Sequence, residues 1–115
     1  MKVLLLFTTI IISNIYPMSA VCYILFSEKL NKFYVGATND NIEKRIEKHN
    51  EHSYGNHRYT ALTNDWKIFL SIEAKDYPHA IRMERKIKSM KSKTFIINLK
   101  QYSELQNKLI LETST

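Results

Sequence analysis

Five side chains along this chain have types suited to one kind of chemistry. They are Tyr23, Tyr34, Arg45, His49 and Glu84, in that order. Two phenols, a guanidinium, an imidazole and a carboxylate suit metal-assisted attack on a phosphodiester. Arginine donates two parallel hydrogen bonds to phosphate oxygens. Histidine can donate to a phosphate or carry a proton. A phenol acts as a base only with help, because its free pKa is about 10. A nearby cation or a metal-bound hydroxide would supply that help. A single carboxylate is a poor cage for calcium. It suits magnesium, which keeps most of its waters and takes its other ligands from a bound phosphate.

Each residue also has a purely structural reading. Tyrosines in strands commonly pack. Arg45 and His49 share a helix face, but Glu43, Lys44, Glu47 and Lys48 around them are surface types. Glu84 is flanked at helical spacing by Ala80 and Ile87, so it should face inward or towards a cleft. There it needs a cation, which is either a metal or a salt-bridge partner such as Lys88 or Arg85. Gly36 would let a phosphate approach closely. Tyr59 and Thr60 follow Arg58 in a polar loop, and either line a nucleic-acid groove or pack.

These side chains need elements to position them. Val21–Ser27 is apolar on both alternating faces and reads as a strand covered on both sides. Glu28 to Asn31 has turn chemistry, and Lys32 to Gly36 returns. A hairpin loop with an even number of residues puts Tyr23, Tyr34 and Gly36 on one face. Thr38, Asn39 and Asp40 are N-cap types before a helix from about Asn41 to His52, with Ile42 and Ile46 as its buried stripe. Ser53 to Asn64 reads as a loop. Trp66 to Glu73 alternates as a third strand. Asp76 and Pro78 open a helix to about Met90. Thr94 to Leu99 predicts a short helix. Ser103 with Gln106 predicts a capping box on a last helix, buried through Leu105, Leu109 and Ile110. This order predicts an α+β fold, a small and at least partly antiparallel sheet packed with helices.

The 115 residues suffice for one domain with one core, and 2 Gly and 2 Pro argue against long linkers. The net charge is +6. Its excess lies between Tyr77 and Lys100, where Arg82, Arg85, Lys86, Lys88, Lys91, Lys93 and Lys100 meet only Glu84. A concentrated basic face suggests a polyanionic partner, nucleic acid or an anionic membrane surface; a solvated helix face is the alternative. A single cysteine, Cys22, excludes an intramolecular disulfide and a paired-cysteine zinc site. Val3 to Ile12 is apolar apart from two threonines, too short for a bilayer span but the size of a signal-peptide core. Residues 1–20 therefore read as an extension outside the fold, with Met18 as an alternative start, or as a signal peptide. Residues 21–112 read as the domain. The location is cytoplasmic in the first case and secreted in the second.

Together the segments Tyr23-Ile24-Leu25, Tyr34-Val35-Gly36-Ala37-Thr38, Arg45-x-x-x-His49-Asn50 and Glu84-Arg85-Lys86-Ile87-Lys88 resemble the GIY-YIG endonuclease superfamily. The nearest likeness is to its small single-domain bacterial members, which are related to the nuclease domain of the bacterial excinuclease. It extends from Val21 to Ile110. The resemblance implies a three-stranded antiparallel sheet flanked by helices. It implies hydrolysis of DNA phosphodiesters with one divalent cation, Mg2+ or a substitute such as Mn2+. Tyr23 and Tyr34 match the motif tyrosines, one acting as general base or orienting the attacking water. Arg45 matches the arginine that offsets charge on the scissile phosphate. His49 matches a position often filled by histidine or tyrosine, and Glu84 matches the metal ligand. Gly36, Tyr59, Lys86, Lys88, Lys91 and Lys93 are the expected nucleic-acid contacts. DNA is the expected partner, with no membrane; target selection would rest on the basic helix or on a separate targeting protein. Three departures stand out. Val-Cys-Tyr replaces Gly-Ile-Tyr, Ala37 replaces the lysine of excinuclease-type members, and the helix entry holds one extra residue. A non-catalytic nucleic-acid-binding module with the same fold is the alternative reading.

Overall fold

A computed structural model describes residues 20–52 and 59–115. The readings made of residues 1–19 and of Ser53 to Arg58 lie outside the described residues. Three strands, β1 (Val21–Ser27), β2 (Lys32–Thr38) and β3 (Lys67–Glu73), form one antiparallel sheet in the order β2-β1-β3. The helices are α1 (Ile42–Asn50), α2 (Tyr77–Met90), α3 (Lys93–Gln101) and α4 (Ser103–Thr113), with a short 3-10 turn at Tyr59–Leu62 before β3.

β1 is the central strand, so both its faces are covered, as its two-sided apolar pattern predicts. Cys22 and Ile24 face the layer of α2, α3 and α4, packed with Val35, Ala80, Met83, Ile87 and Leu99. Tyr23 and Leu25 face the other way and pack with Trp66, Ile42 and Ile46, which brings α1 onto that side. Burying a large apolar side chain stabilises by about 1.5–3 kcal/mol. Both layers are therefore needed to hold the strand that carries Tyr23.

The hairpin turn has the even length expected. Ser27 lies opposite Lys32, Leu25 opposite Tyr34, and Tyr23 opposite Gly36. The alternation then puts Tyr23, Tyr34 and Gly36 on the α1 face. Helix starts are capped by Asn41, Asp76 and Ser92, whose side chains accept from the backbone N–H of Lys44, His79 and Phe95.

The predicted capping box at Ser103 does not form. Tyr102 is the N-cap of α4 and makes no side-chain cap bond. Gln106 instead donates through Nε2 to the Leu99 carbonyl at 2.7 Å. The break between α3 and α4 is a single extended residue, so Ser103 already lies within the helix. The Gln106 amide satisfies a carbonyl left over at the end of α3.

Candidate active site

Tyr23 is fully buried, yet its hydroxyl is the meeting point of the α1 side chains. Arg45 Nε donates to the Tyr23 oxygen at 3.3 Å. His49 Nε2 lies 2.9 Å from the same oxygen. Arg45 and His49 are one helical turn apart, so a single helix face delivers both to one strand residue. The Tyr34 ring closes the group, with its centroid 5.0 Å from the His49 ring and 6.4 Å from the Tyr23 ring.

Gly36 serves this packing. A Cβ at Gly36 would stand 2.5 Å from both Cζ and the hydroxyl oxygen of Tyr23. The room expected for a phosphate is occupied by the end of the Tyr23 ring. Ala37 points to the opposite face and is buried among the residues packed by α2. The missing lysine of that motif position therefore concerns the helical layer.

His49 is 3% exposed. Burial first, and then the Arg45 charge, lower its pKa to about 4. It is therefore neutral at physiological pH, with one nitrogen a donor and the other an acceptor. Its Nδ1 lies 3.0 Å from Thr60 Oγ1. Two proton arrangements satisfy this chain of groups. In one, Tyr23 O–H donates to Nε2 and Nδ1–H donates to Thr60. In the other, Thr60 O–H donates to Nδ1 and Nε2–H donates to Tyr23, whose oxygen then receives two donors. Only a hydroxyl can switch between these roles by rotating, and Thr60 supplies it.

Thr60 is held in turn. Its carbonyl accepts from Trp66 Nε1 at 2.8 Å. The Trp66 backbone N–H donates to Asn50 Oδ1 at 2.9 Å, and Asn50 Nδ2 donates to the Trp66 carbonyl at 3.2 Å. The end of α1, the 3-10 turn and the start of β3 are thus tied behind His49. Sequence reasoning left Thr60 between groove and packing and gave Asn50 and Trp66 no part here. The one available signal was a run of polar residues before a tryptophan.

Glu84 on α2 makes the pairing named as its structural alternative. Lys88 Nζ lies 2.8 Å from Glu84 Oε1, and the Glu84 side chain is 19% exposed. The same ammonium stands 5.9 Å from the Tyr34 ring centroid, which connects the carboxylate to the tyrosine face. Among the described residues no three His, Cys, Asp or Glu side chains form a metal cage. A lone, partly sheltered carboxylate would suit a hydrated magnesium ion, which takes few protein ligands. It does not fit a zinc site, which needs three or four protein ligands.

The basic run from Tyr77 to Lys100 does not form one face. Arg82 Nε donates to the Thr113 carbonyl at 2.6 Å, and Lys100 Nζ lies 4.5 Å from the Phe69 ring centroid. Lys86 lines a cavity with Met90, Phe95, Leu105 and Leu109, between α2 and α4. It is not gathered with Lys88. Lys91 and Lys93 lie with Tyr59 along a groove beside β2. Tyr59 stacks on Tyr34, centroids 6.3 Å apart with an 18° interplanar angle, and burial pushes its phenol pKa up. The structure brings together Tyr23, Tyr34, Gly36, Arg45 and His49, and joins Glu84, Lys88 and Tyr59 to them through Tyr34.

A three-stranded antiparallel sheet with helices on both faces defines a small α+β domain. The GIY-YIG catalytic domain family matches residues 19–98, and the chain belongs to the GIY-YIG superfamily. No curated protein and no solved structure matches the chain. No helix among the described residues is long and apolar enough to cross a membrane.

Proposed function

We propose that the chain is a divalent-metal-dependent endonuclease that hydrolyses DNA phosphodiester bonds, with residues 21–112 as the catalytic domain. The observation that supports it most is the Tyr23 oxygen, set between the Arg45 guanidinium and the His49 imidazole. A packing tyrosine needs one hydrogen-bond partner; this one has at least two, both far away in sequence. Tyr23 acts as the phenolate, having given up its own proton to solvent; it takes the proton of the attacking water as the water oxygen bonds to phosphorus, and the leaving oxygen departs with the bonding pair and is protonated from solvent. The Arg45 charge stabilises the phenolate before the transfer and offsets the negative charge that develops at the phosphate. His49 holds the phenol oxygen in place and, with Thr60, adjusts to its protonation. Tyr34 walls the site and presents its face to the substrate. Glu84 would hold Mg2+ or Mn2+, which supplies positive charge at the phosphate. Lys88, beside Glu84 and the Tyr34 ring, would hold a phosphate oxygen.

The Glu84–Lys88 ion pair also favours a second reading, a nucleic-acid-binding module in which lysine has taken the metal's place. One experiment separates the two. Supercoiled plasmid is incubated with the protein in magnesium or in chelator, alongside Tyr23→Phe and Glu84→Gln. The nuclease reading expects nicking with magnesium only. Both variants should lose at least about 100-fold in rate while remaining folded, the usual scale for a general base. Wild-type rates in Glu84→Gln at saturating magnesium would sink the mechanism. Binding without cleavage by the wild type would establish the module.

A further inference from the structure

β2 is an edge strand, and a groove of about 250 Å³ runs beside its first residues. Lys32 and Phe33 of β2, Tyr59 of the 3-10 turn, and Lys91, Ser92 and Lys93 between α2 and α3 line it. The groove thus combines three ammonium groups with aromatic rings, and no carboxylate is among its lining residues. Lys93 Nζ donates to the Asn31 carbonyl at 2.8 Å, which ties the α2–α3 connection to the hairpin turn and fixes that end. At the other end Tyr59 leans on Tyr34, so the groove opens directly beside the candidate active site.

Tyr59 is the informative residue. Its ring stacks on Tyr34 and packs against Trp66, yet 41% of the residue is exposed. An exposed aromatic face braced from behind is a stacking platform. Lysines on both walls suit a phosphate backbone passing the platform. In a duplex each base already has neighbours on both faces, so a tyrosine can stack only on an unpaired or terminal base.

We infer that this groove binds an unpaired nucleotide of a nucleic-acid strand, its base stacked on Tyr59 and its phosphates on Lys32, Lys91 and Lys93. Given the nuclease reading, on which the substrate assignment rests, the preferred substrate carries a single-stranded segment next to the cleaved phosphate. Flaps, frayed ends and branch points have one.

The test is a binding measurement on the full chain in chelator, where cleavage plays no part. Fluorescence anisotropy is read with a labelled oligothymidine and with a labelled two-strand blunt duplex, long enough that its terminal pairs are few against its internal ones. The wild type should prefer the single strand. Tyr59→Leu should weaken single-strand binding by about 5- to 150-fold, the range for loss of one base–aromatic stack, and leave duplex binding within about 2-fold. Tyr59→Phe keeps the ring and should bind like the wild type, which separates stacking from loss of fold. Lys91→Glu should weaken single-strand binding and flatten its salt dependence. Equal binding of both nucleic acids by the wild type would overturn the inference. So would Tyr59→Leu binding the single strand normally, or losing both alike. The two proposals fail separately: Tyr59-dependent binding with no cleavage in magnesium refutes only the nuclease. Cleavage with no Tyr59-dependent preference refutes only the groove.

Discussion

At the scale of single residues, Thr60 carries a demand that its size does not suggest. A neutral imidazole between two hydroxyls can point its proton either way, and each choice must be matched on the far side. Thr60→Val keeps the shape and removes the matching group. It should remove a buried hydrogen bond to His49 Nδ1, at a cost of about 0.5–1.5 kcal/mol. The nuclease reading expects kcat to fall while KM holds, and Thr60→Ser to restore kcat. A variant that loses stability but keeps kcat would show that Thr60 only packs. His49 itself makes a separate prediction about pH. Its folded pKa of about 4 lies below the ordinary 6.5, so the unfolded chain takes up the proton first. The stability it contributes is complete above about pH 6.5 and is lost as the pH falls towards 4. Thermal unfolding of His49→Gln should therefore fall less steeply over that window than the wild type. Parallel curves would mean that His49 does not titrate as its burial implies.

At the scale of elements, the legible parts of the site are those governed by a period. Strand alternation and an even turn give the shared face of Tyr23, Tyr34 and Gly36. Helical spacing gives the Arg45–His49 face, the Ile42–Ile46 stripe and the Glu84–Lys88 pair. What joins these periods is not periodic. Whether α1 lays His49 on Tyr23 depends on how the helix crosses the strand, and that is decided by Trp66, which lies outside both elements and is held by Asn50 at the end of α1. Thr60 arrives from a loop whose path no pattern encodes. The capping box failed for a related reason, because the sharp step at Tyr102 shifts the helix start by one residue. The α2–α3 step offers a test of such joints. Lys91 ends α2 with φ 48°, a left-handed conformation that suits glycine. Lys91→Gly should raise stability by up to about 1 kcal/mol, as Cβ crowding is relieved. It should also weaken nucleic-acid binding, since a groove lysine is gone. A fall in melting temperature would show that the Lys91 side chain contributes more to folding than its backbone strain costs.

At the scale of the whole molecule, the charge of +6 is less concentrated than the linear run implies. Arg82 is engaged at the end of α4, Lys86 faces the α2–α4 cavity and Lys100 covers Phe69. The lysines placed beside Tyr34 and the groove are Lys32, Lys88, Lys91 and Lys93. This division makes the electrostatics testable, because two sets of like charges on one small domain should behave differently. Each lysine–phosphate contact adds about −0.7 to the slope of log affinity against log salt for a single strand, and about −0.9 for a duplex. Charge removal at Lys88 and Lys93 together should reduce the slope by roughly 1.4 on oligothymidine, with a matching loss of affinity at low salt. The same removal at Lys86 and Lys100 keeps the net charge change identical, and should shift the slope little. Screening acts over a Debye length of about 8–10 Å near physiological salt, so distant charges act only weakly through the field. Equal losses from the two double variants would mean that binding reads net charge alone. A flat salt response in the wild type would remove the phosphate-contact basis for all four lysines, and with it the electrostatic half of the groove.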